Sequence, residues 1–183
     1  MKIVYKNKYF KIKKKNGYYI YVPFARQVCI VPVIEYSSFL IVKVKRPHLK
    51  KYIYEFPAGS LLSNNENPKK AALRELVEET GVCINKQNKL KKLPSIFSMA
   101  DRLQNPMFTY YINLNKNQLK KNRYDKREIN SVKIVNFAEL NSMILKGKFN
   151  ASVPISLLYI YFLKNLSKSI NLNNFYDNIK NSL

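Results

Sequence analysis

Three glutamates, Glu75, Glu78 and Glu79, fall close together in a chain that has only 11 Asp+Glu against 33 Lys+Arg. If this stretch is helical, a turn of about 100° per residue puts Glu79 near +40° and Glu78 near −60° from Glu75, so the carboxylates share an arc of roughly 100°. Ala72, Leu73, Leu76 and Val77 are then expected on the opposite, packing arc. Like charges this close raise one another's pKa unless something positive neutralises them, and clustered carboxylate oxygens suit a hard divalent cation such as Mg2+ or Mn2+. The alternative is a solvated Glu-rich face paired with Arg74, Lys69 and Lys70.

The elements needed to position these groups can be read from the same rows. A helix is expected over 68–80, with Asn67 as N-cap, Pro68 in the first turn and Gly81 just past the end. Ahead of it, 27–34 (QVCIVPVI) and 38–45 (SFLIVKVK) are β-branched and apolar, with Glu35-Tyr36-Ser37 as the turn between them. A short extended segment at 52–57 closes on Pro57, Ala58 and Gly59. Further strands are expected at 107–114 and 131–137, and helices at 138–146 and 153–164. The last twenty residues are polar and Asn-rich and read as a short helix or a frayed tail. This order describes one α/β or α+β domain, residues 23–183, preceded by a β-hairpin at 1–22 that turns on Asn16-Gly17.

The net charge of +22 makes nucleic acid a possible partner, but 27 Lys, only 6 Arg and 22 Asn do not favour it. Such usage fits an AT-rich genome and a solvated basic surface. No apolar run reaches the roughly 18 residues that span a bilayer, and the basic start lacks the apolar block of a secretory signal, so a cytoplasmic protein without membrane contact is expected. Cys29 and Cys83 stand 54 positions apart with no CxxC, which suggests neither zinc nor a disulfide framework. His48 reads as an exposed loop residue, 157–163 (LLYIYFL) as a core helix, and Tyr18, Tyr19, Tyr21 and Phe24 as half-buried strand packing ahead of base stacking.

Residues 55–82 read EFPAGSLLSNNENPKKAALRELVEETGV. Gly59, Glu66, Arg74, Glu75, Leu76, Glu78, Glu79, Gly81 and Val82 fill the pattern of the Nudix box, and the chain resembles the Nudix hydrolases. The block Glu55-Phe56-Pro57-Ala58-Gly59, the strand ending at Arg46-Pro47, and Leu145-Lys146-Gly147-Lys148-Phe149 before an apolar helix resemble the ADP-ribose and ADP-sugar pyrophosphatases of that family. The resemblance departs in two places. Six residues, not five, separate Gly59 from Glu66, and Pro94 to Asp101 (PSIFSMAD) lacks the Ser-Pro-Gly-like turn of that subgroup.

The resemblance implies a Nudix fold, a mixed β-sheet sandwiched between helices, and Mg2+- or Mn2+-dependent hydrolysis of a nucleotide sugar to AMP and a sugar phosphate. It further implies Glu75, Glu78, Glu79 and the Ala58 carbonyl as metal ligands, and Glu78 and Glu79 in catalysis. Arg46, Glu55 and Gly59 would meet substrate, and Arg74 would brace the helix carboxylates. A late-loop acid would serve as base, Glu128 ahead of Asp125 and Asp101. A homodimer using the N-terminal strands is also implied. Two other readings stay open: a pyrophosphohydrolase acting on RNA 5′ ends, and a nucleotide-binding Nudix module without turnover.

Overall fold

The computed structural model describes residues 1–63, 65–85, 88–119 and 124–166; the polar C-terminal stretch beyond 166 lies outside the described residues. The chain begins with a three-stranded antiparallel sheet, β1 (Lys2–Lys6), β2 (Phe10–Lys15) and β3 (Tyr18–Pro23). Asn16 and Gly17, with φ of 49° and 82°, make the tight β2–β3 turn that two left-handed residues favour. The expected hairpin is thus two strands of three. The added strand, KIVYK, is short and exposed throughout.

The main sheet has seven strands: β4 (Gln27–Ile34), β5 (Ser38–Arg46), β6 (Lys51–Glu55), β7 (Ala58–Ser60), β8 (Lys91–Ile96), β9 (Met107–Leu114) and β10 (Ile129–Asn136). Its main path runs β10-β5-β4-β9-β8, and β4–β9 is the parallel pair. Helix α1 (Pro68–Thr80) packs on one face over Val28, Ile30, Ile34 and Leu40. Helices α2 (Phe137–Leu145) and α3 (Ser152–Leu166) cover Val31, Val33, Phe39 and Ile41 on the other. The two faces are fed by alternate residues of β4 and β5, which explains why both strands read as unbroken apolar runs.

One feature of this sheet positions the site. β4 pairs with β5 only at Val33 and Ile34; at its other end, Gln27 to Cys29, it pairs with β7, while β5 continues alongside β6. The sheet therefore forks. Ile30 N–H reaches across to Pro57 O at 2.9 Å, and two residues on, on the same side, Pro32 has no N–H to leave unpaired. The β6–β7 connection, Phe56-Pro57, fills the fork, with the Phe56 ring fully buried against Phe149.

Helix α1 starts and stops where its sequence signals fall. Asn67 accepts from Lys69 N–H at 2.9 Å, and Gly81, at φ 67°, donates its N–H to Val77 O. Its packing face differs from expectation. Ala71, Ala72, Leu76 and Thr80 are buried, whereas Val77 is exposed. Glu75 and Glu79 flank the buried stripe because, at about 100° per residue, Ala72 and Leu76 stand only about 60° and 100° from Glu75 and cannot lie opposite it. Val77 is the residue displaced to solvent as a result. Tyr18, Tyr19 and Tyr21 are likewise exposed where half-burial was expected, Tyr19 and Tyr21 on one face of the N-terminal sheet and Tyr18 on the other, whereas Phe24 is half-buried as expected. His48 is exposed, and Leu157, Leu158 and Tyr161 of α3 are buried, both as expected.

Candidate active site

At the fork the protein encloses a cavity of about 580 Å3. Glu55, Glu75, Glu78, Glu79, Asp125 and Glu128 line it, and Arg46 is the one basic side chain in its wall among the described residues. Six carboxylates in a chain of charge +22 are gathered here because three elements meet: β6–β7, α1, and the loop entering β10.

Glu79 lies deepest. Its Oε2 accepts the Ala58 N–H at 3.0 Å. Burial pushes its carboxyl up to about 8; the Ala58 hydrogen bond opposes this, and the charges of Glu75 and Glu55 add to it. Glu75 rests against the backbone of Gly59 so closely that a Cβ there would fall 2.1 Å from its Cδ. Burial raises its pKa too, against the pull of Arg74. Glu78 is half exposed at the rim.

Arg74 ties this group together. Its Nη1 donates to Glu75 Oε1 at 2.8 Å and Glu78 Oε2 at 3.2 Å, its Nη2 donates to Ser60 O at 2.8 Å, and Nε and Nη2 each reach Glu66 at 3.4 Å. Glu66 in turn accepts Leu62 N–H at 2.6 Å, the main cause of its lowered pKa. The six-residue spacer therefore still delivers Glu66 to Arg74, with Leu62, inside the longer loop, fixing its carboxylate. Arg74 braces the carboxylates and does not line the cavity.

Arg46 and Glu55 form a two-pronged pair, Nε to Oε1 at 3.1 Å and Nη2 to Oε2 at 2.6 Å, which leaves Nη1 outside the pair. Of the three late acids, Asp125 and Glu128 line the cavity, while Asp101 lies outside it, paired with Arg102 at 3.1 Å. Asp125 donates its N–H to Glu78 O at 2.8 Å, pinning the loop to α1. Its carboxylate is held by the Arg127 guanidinium and drawn down to about 2. Glu128 accepts Lys45 N–H on its backbone carbonyl at 2.9 Å, and among the described residues no hydrogen bond occupies its carboxylate.

Several wall residues carry no motif and were not anticipated. Gln27 and Cys29 come from the cavity side of β4, Ser98 and Met107 from the loop and strand before β9's core, and Ala151 to Pro154 from the first turn of α3. Only the period-2 alternation of β4 could have placed the first two. Burial and the nearby Glu79 raise the Cys29 thiol, so it is packing and not a nucleophile.

The donor set suits a hard divalent cation: oxygens only, with Glu79 as a buried carboxyl that a cation would ionise. Among the described residues no three such side chains already converge as a ligand group. Glu75 and Glu78 turn toward Arg74 and Glu79 toward Ala58, so rotation about their side-chain bonds is needed to share one ion.

The chain belongs to the NUDIX domain family, whose model matches residues 23–157. Over 61 residues it is 43% identical to an ADP-sugar pyrophosphatase of Mus musculus, covering 31% of this chain and 28% of that protein. Over 76 residues it is 36% identical to an ADP-ribose pyrophosphatase of Bacillus subtilis (strain 168), covering 42% of this chain and 40% of that one. The matches thus span less than half the length of either relative. No helix of the described residues is long and apolar enough to cross a membrane.

Proposed function

We propose that the chain is a cytoplasmic pyrophosphatase that hydrolyses a nucleoside diphosphate derivative, ADP-ribose or an ADP-sugar, to AMP and a sugar phosphate. The observation that carries the reading is the cavity whose wall holds three α1 carboxylates together with a single arginine pre-oriented by Glu55. The names of the two relatives support the substrate class. Glu75, Glu78, Glu79 and the Ala58 carbonyl would hold Mg2+ or Mn2+. Such ions, when bound, offset the diphosphate charge and lower the pKa of water for attack on phosphorus.

The remaining work falls to the chain. Glu55 holds the Arg46 guanidinium flat, so that its unpaired edge meets a phosphate oxygen without first losing side-chain freedom. The first turn of α3 brings the backbone N–H groups of Ser152 and Val153 to the cavity wall, Pro154 having none and Ile155 N–H donating to Ala151 O, and a second phosphate is favoured there. Glu128, the late acid with an unengaged carboxylate, takes the proton of the attacking water as the P–O bridge breaks toward the sugar phosphate. Asp125 is a poor base, since Arg127 holds it ionised and occupied. Gly59 contacts substrate only through its backbone.

The test is a panel of nucleoside diphosphate derivatives with Mg2+ and Mn2+, read as phosphate released after phosphatase treatment. ADP-ribose and ADP-sugars should give the highest kcat/KM. Preference for a nucleoside triphosphate or a dinucleotide would overturn the substrate assignment.

A further inference from the structure

The end of the main sheet farthest from the active-site cavity holds a second cavity, of about 270 Å3, lined by Tyr36, Asn88, Lys89, Lys91, Asn113 and Asn115. Strand β9 runs from Met107 in the wall of the first cavity to Asn113 in the wall of the second, about 20 Å away at about 3.3 Å per residue.

Two features of this wall serve no purpose in the fold. Asn113 Oδ1 is buried and, among the described residues, accepts no hydrogen bond. Its neighbour Asn88 cannot supply one, since its Nδ2 donates to Asn113 O at 3.0 Å and to Gln118 Oε1 at 3.2 Å. A buried acceptor left unmet is unfavourable, and it fits a ligand that donates. The second feature is Tyr36. In the β4–β5 turn Glu35 and Tyr36 both take left-handed backbone, φ 48° and 60°, with Ser37 N–H on Ile34 O at 3.1 Å. Turns of this kind favour Asn-Gly, and a tyrosine there is strained. Glu35 has a local use, pairing with Lys116 at 3.2 Å. Tyr36 makes no hydrogen bond or ring contact among the described residues and is 79% exposed, a ring held at the open side of the cavity.

Lys89 and Lys91 add positive charge, and among the described residues no acid lines this cavity. Pairing puts Lys91 opposite Tyr111, two residues from Asn113 and on the same face, with its Nζ 5.5 Å from the Tyr111 centroid. Stackable ring, cations and an unmet acceptor must be matched together. Inorganic phosphate answers the lysines but, as a dianion, offers Asn113 no donor. An uncharged aromatic leaves the lysines unused.

We propose that this cavity is a second nucleotide site, separate from the active site, for a nucleoside monophosphate whose base carries an exocyclic amine. The amine donates to Asn113 Oδ1, the base stacks on Tyr36, and the phosphate meets Lys89 and Lys91. The site does not depend on which substrate the first cavity takes.

The experiment is calorimetric titration of the full chain with AMP in EDTA, where six carboxylates without a bound cation disfavour a phosphate in the first cavity. AMP should bind at one site per chain. Ribose 5-phosphate, which lacks the base, and purine riboside 5′-monophosphate, which lacks only the amine, should each bind about tenfold more weakly. Tyr36→Ala and Asn113→Ala should each weaken AMP by about tenfold, and Tyr36→Phe should retain it. Tyr36→Gly should lose the same binding and, relieved of strain, melt no lower than the native chain. No AMP binding in EDTA, equal affinity for the three ligands, or AMP binding untouched by both Tyr36→Ala and Asn113→Ala would overturn the proposal. So would a lowered Tm in Tyr36→Gly, which would make Tyr36 a structural residue of the turn.

Discussion

Replacing Gly59 by alanine separates the positioning of Glu75 from the stability of the fold. The added methyl would lie 2.1 Å from Glu75 Cδ and 2.3 Å from both carboxylate oxygens, against an ordinary contact of at least 3.4 Å. Relief requires the carboxylate to move by about 1.3 Å. The atoms that must yield are the end of a flexible side chain, and Gly59 is not among the residues with positive φ, so the backbone accepts alanine. A stability loss within about 1 kcal/mol follows, or a fall in Tm of about 2–4 °C for a chain of this size. The site does not share this tolerance. Glu75 holds Arg74, and Arg74 holds Glu78, Glu66 and Ser60, so the displacement spreads through the carboxylate group. Misplacing a group by about 1 Å costs on the order of a hundredfold in rate, and kcat at saturating Mg2+ should fall by about that factor. Steady-state kinetics and a thermal melt on the same sample decide it. A variant with intact melting and near-native kcat would show that Glu75 does not need its present contact with Gly59.

Glu79→Gln keeps shape but removes an anionic oxygen, and kcat should fall by about two orders of magnitude or more with excess Mg2+; full activity would remove Glu79 from the metal-binding set. In chelated protein, Glu79 has a folded pKa near 8, above its ordinary value of 4.5. Its contribution to stability is therefore complete below about pH 4.5 and is lost as pH rises through 8, so the native melt should fall relative to Glu79→Gln across that window by up to a few kcal/mol. A pH-independent difference between the two melts would contradict this. Arg46→Lys cannot copy the two-pronged pair with Glu55 and should raise KM about tenfold, roughly 1.4 kcal/mol, while the Mg2+ concentration for half-maximal rate stays put; a shift in that Mg2+ requirement instead would make Arg46 part of the metal-positioning shell. Glu128→Gln should lower kcat by about a hundredfold and remove the acidic limb of its pH profile, whereas Asp125→Asn should lower it far less; the reverse order would assign the base to Asp125.

What the residues announced and what they concealed follow from range. Helix α1 could be bounded from local chemistry, because Asn67, Pro68 and Gly81 each act on backbone within a turn. Its packing arc was misjudged, since on the same helix Ala72 and Leu76 lie within about 100° of Glu75 and Val77 about 160° away, so the arc that faces in carries Glu75 and Glu79 at its edge. β8 escaped notice because KKLPSI is lysine-rich and holds a proline; its order comes from β9, where the buried Thr109 hydroxyl donates to Pro94 O at 2.6 Å. The bracing role of Arg74 was implied by the resemblance to the Nudix box, with only its Glu78 contact at i,i+4 spacing, while the Arg46–Glu55 pair joins two neighbouring strands and needed their pairing to be known. Asp101, Asp125 and Glu128 were indistinguishable by type. Only the path of their loops puts two of them at the cavity.

The most direct measurement is hydrolysis of ADP-ribose in oxygen-18 water with Mg2+, products separated and weighed by mass spectrometry, for the native chain and for Glu79→Gln. Attack of water on one phosphorus should give AMP and ribose 5-phosphate in equal amounts, with the label in only one product and the reaction nearly abolished in the variant. No cleavage by the native chain, or cleavage equally fast in the variant, would contradict a hydrolase centred on the α1 carboxylates.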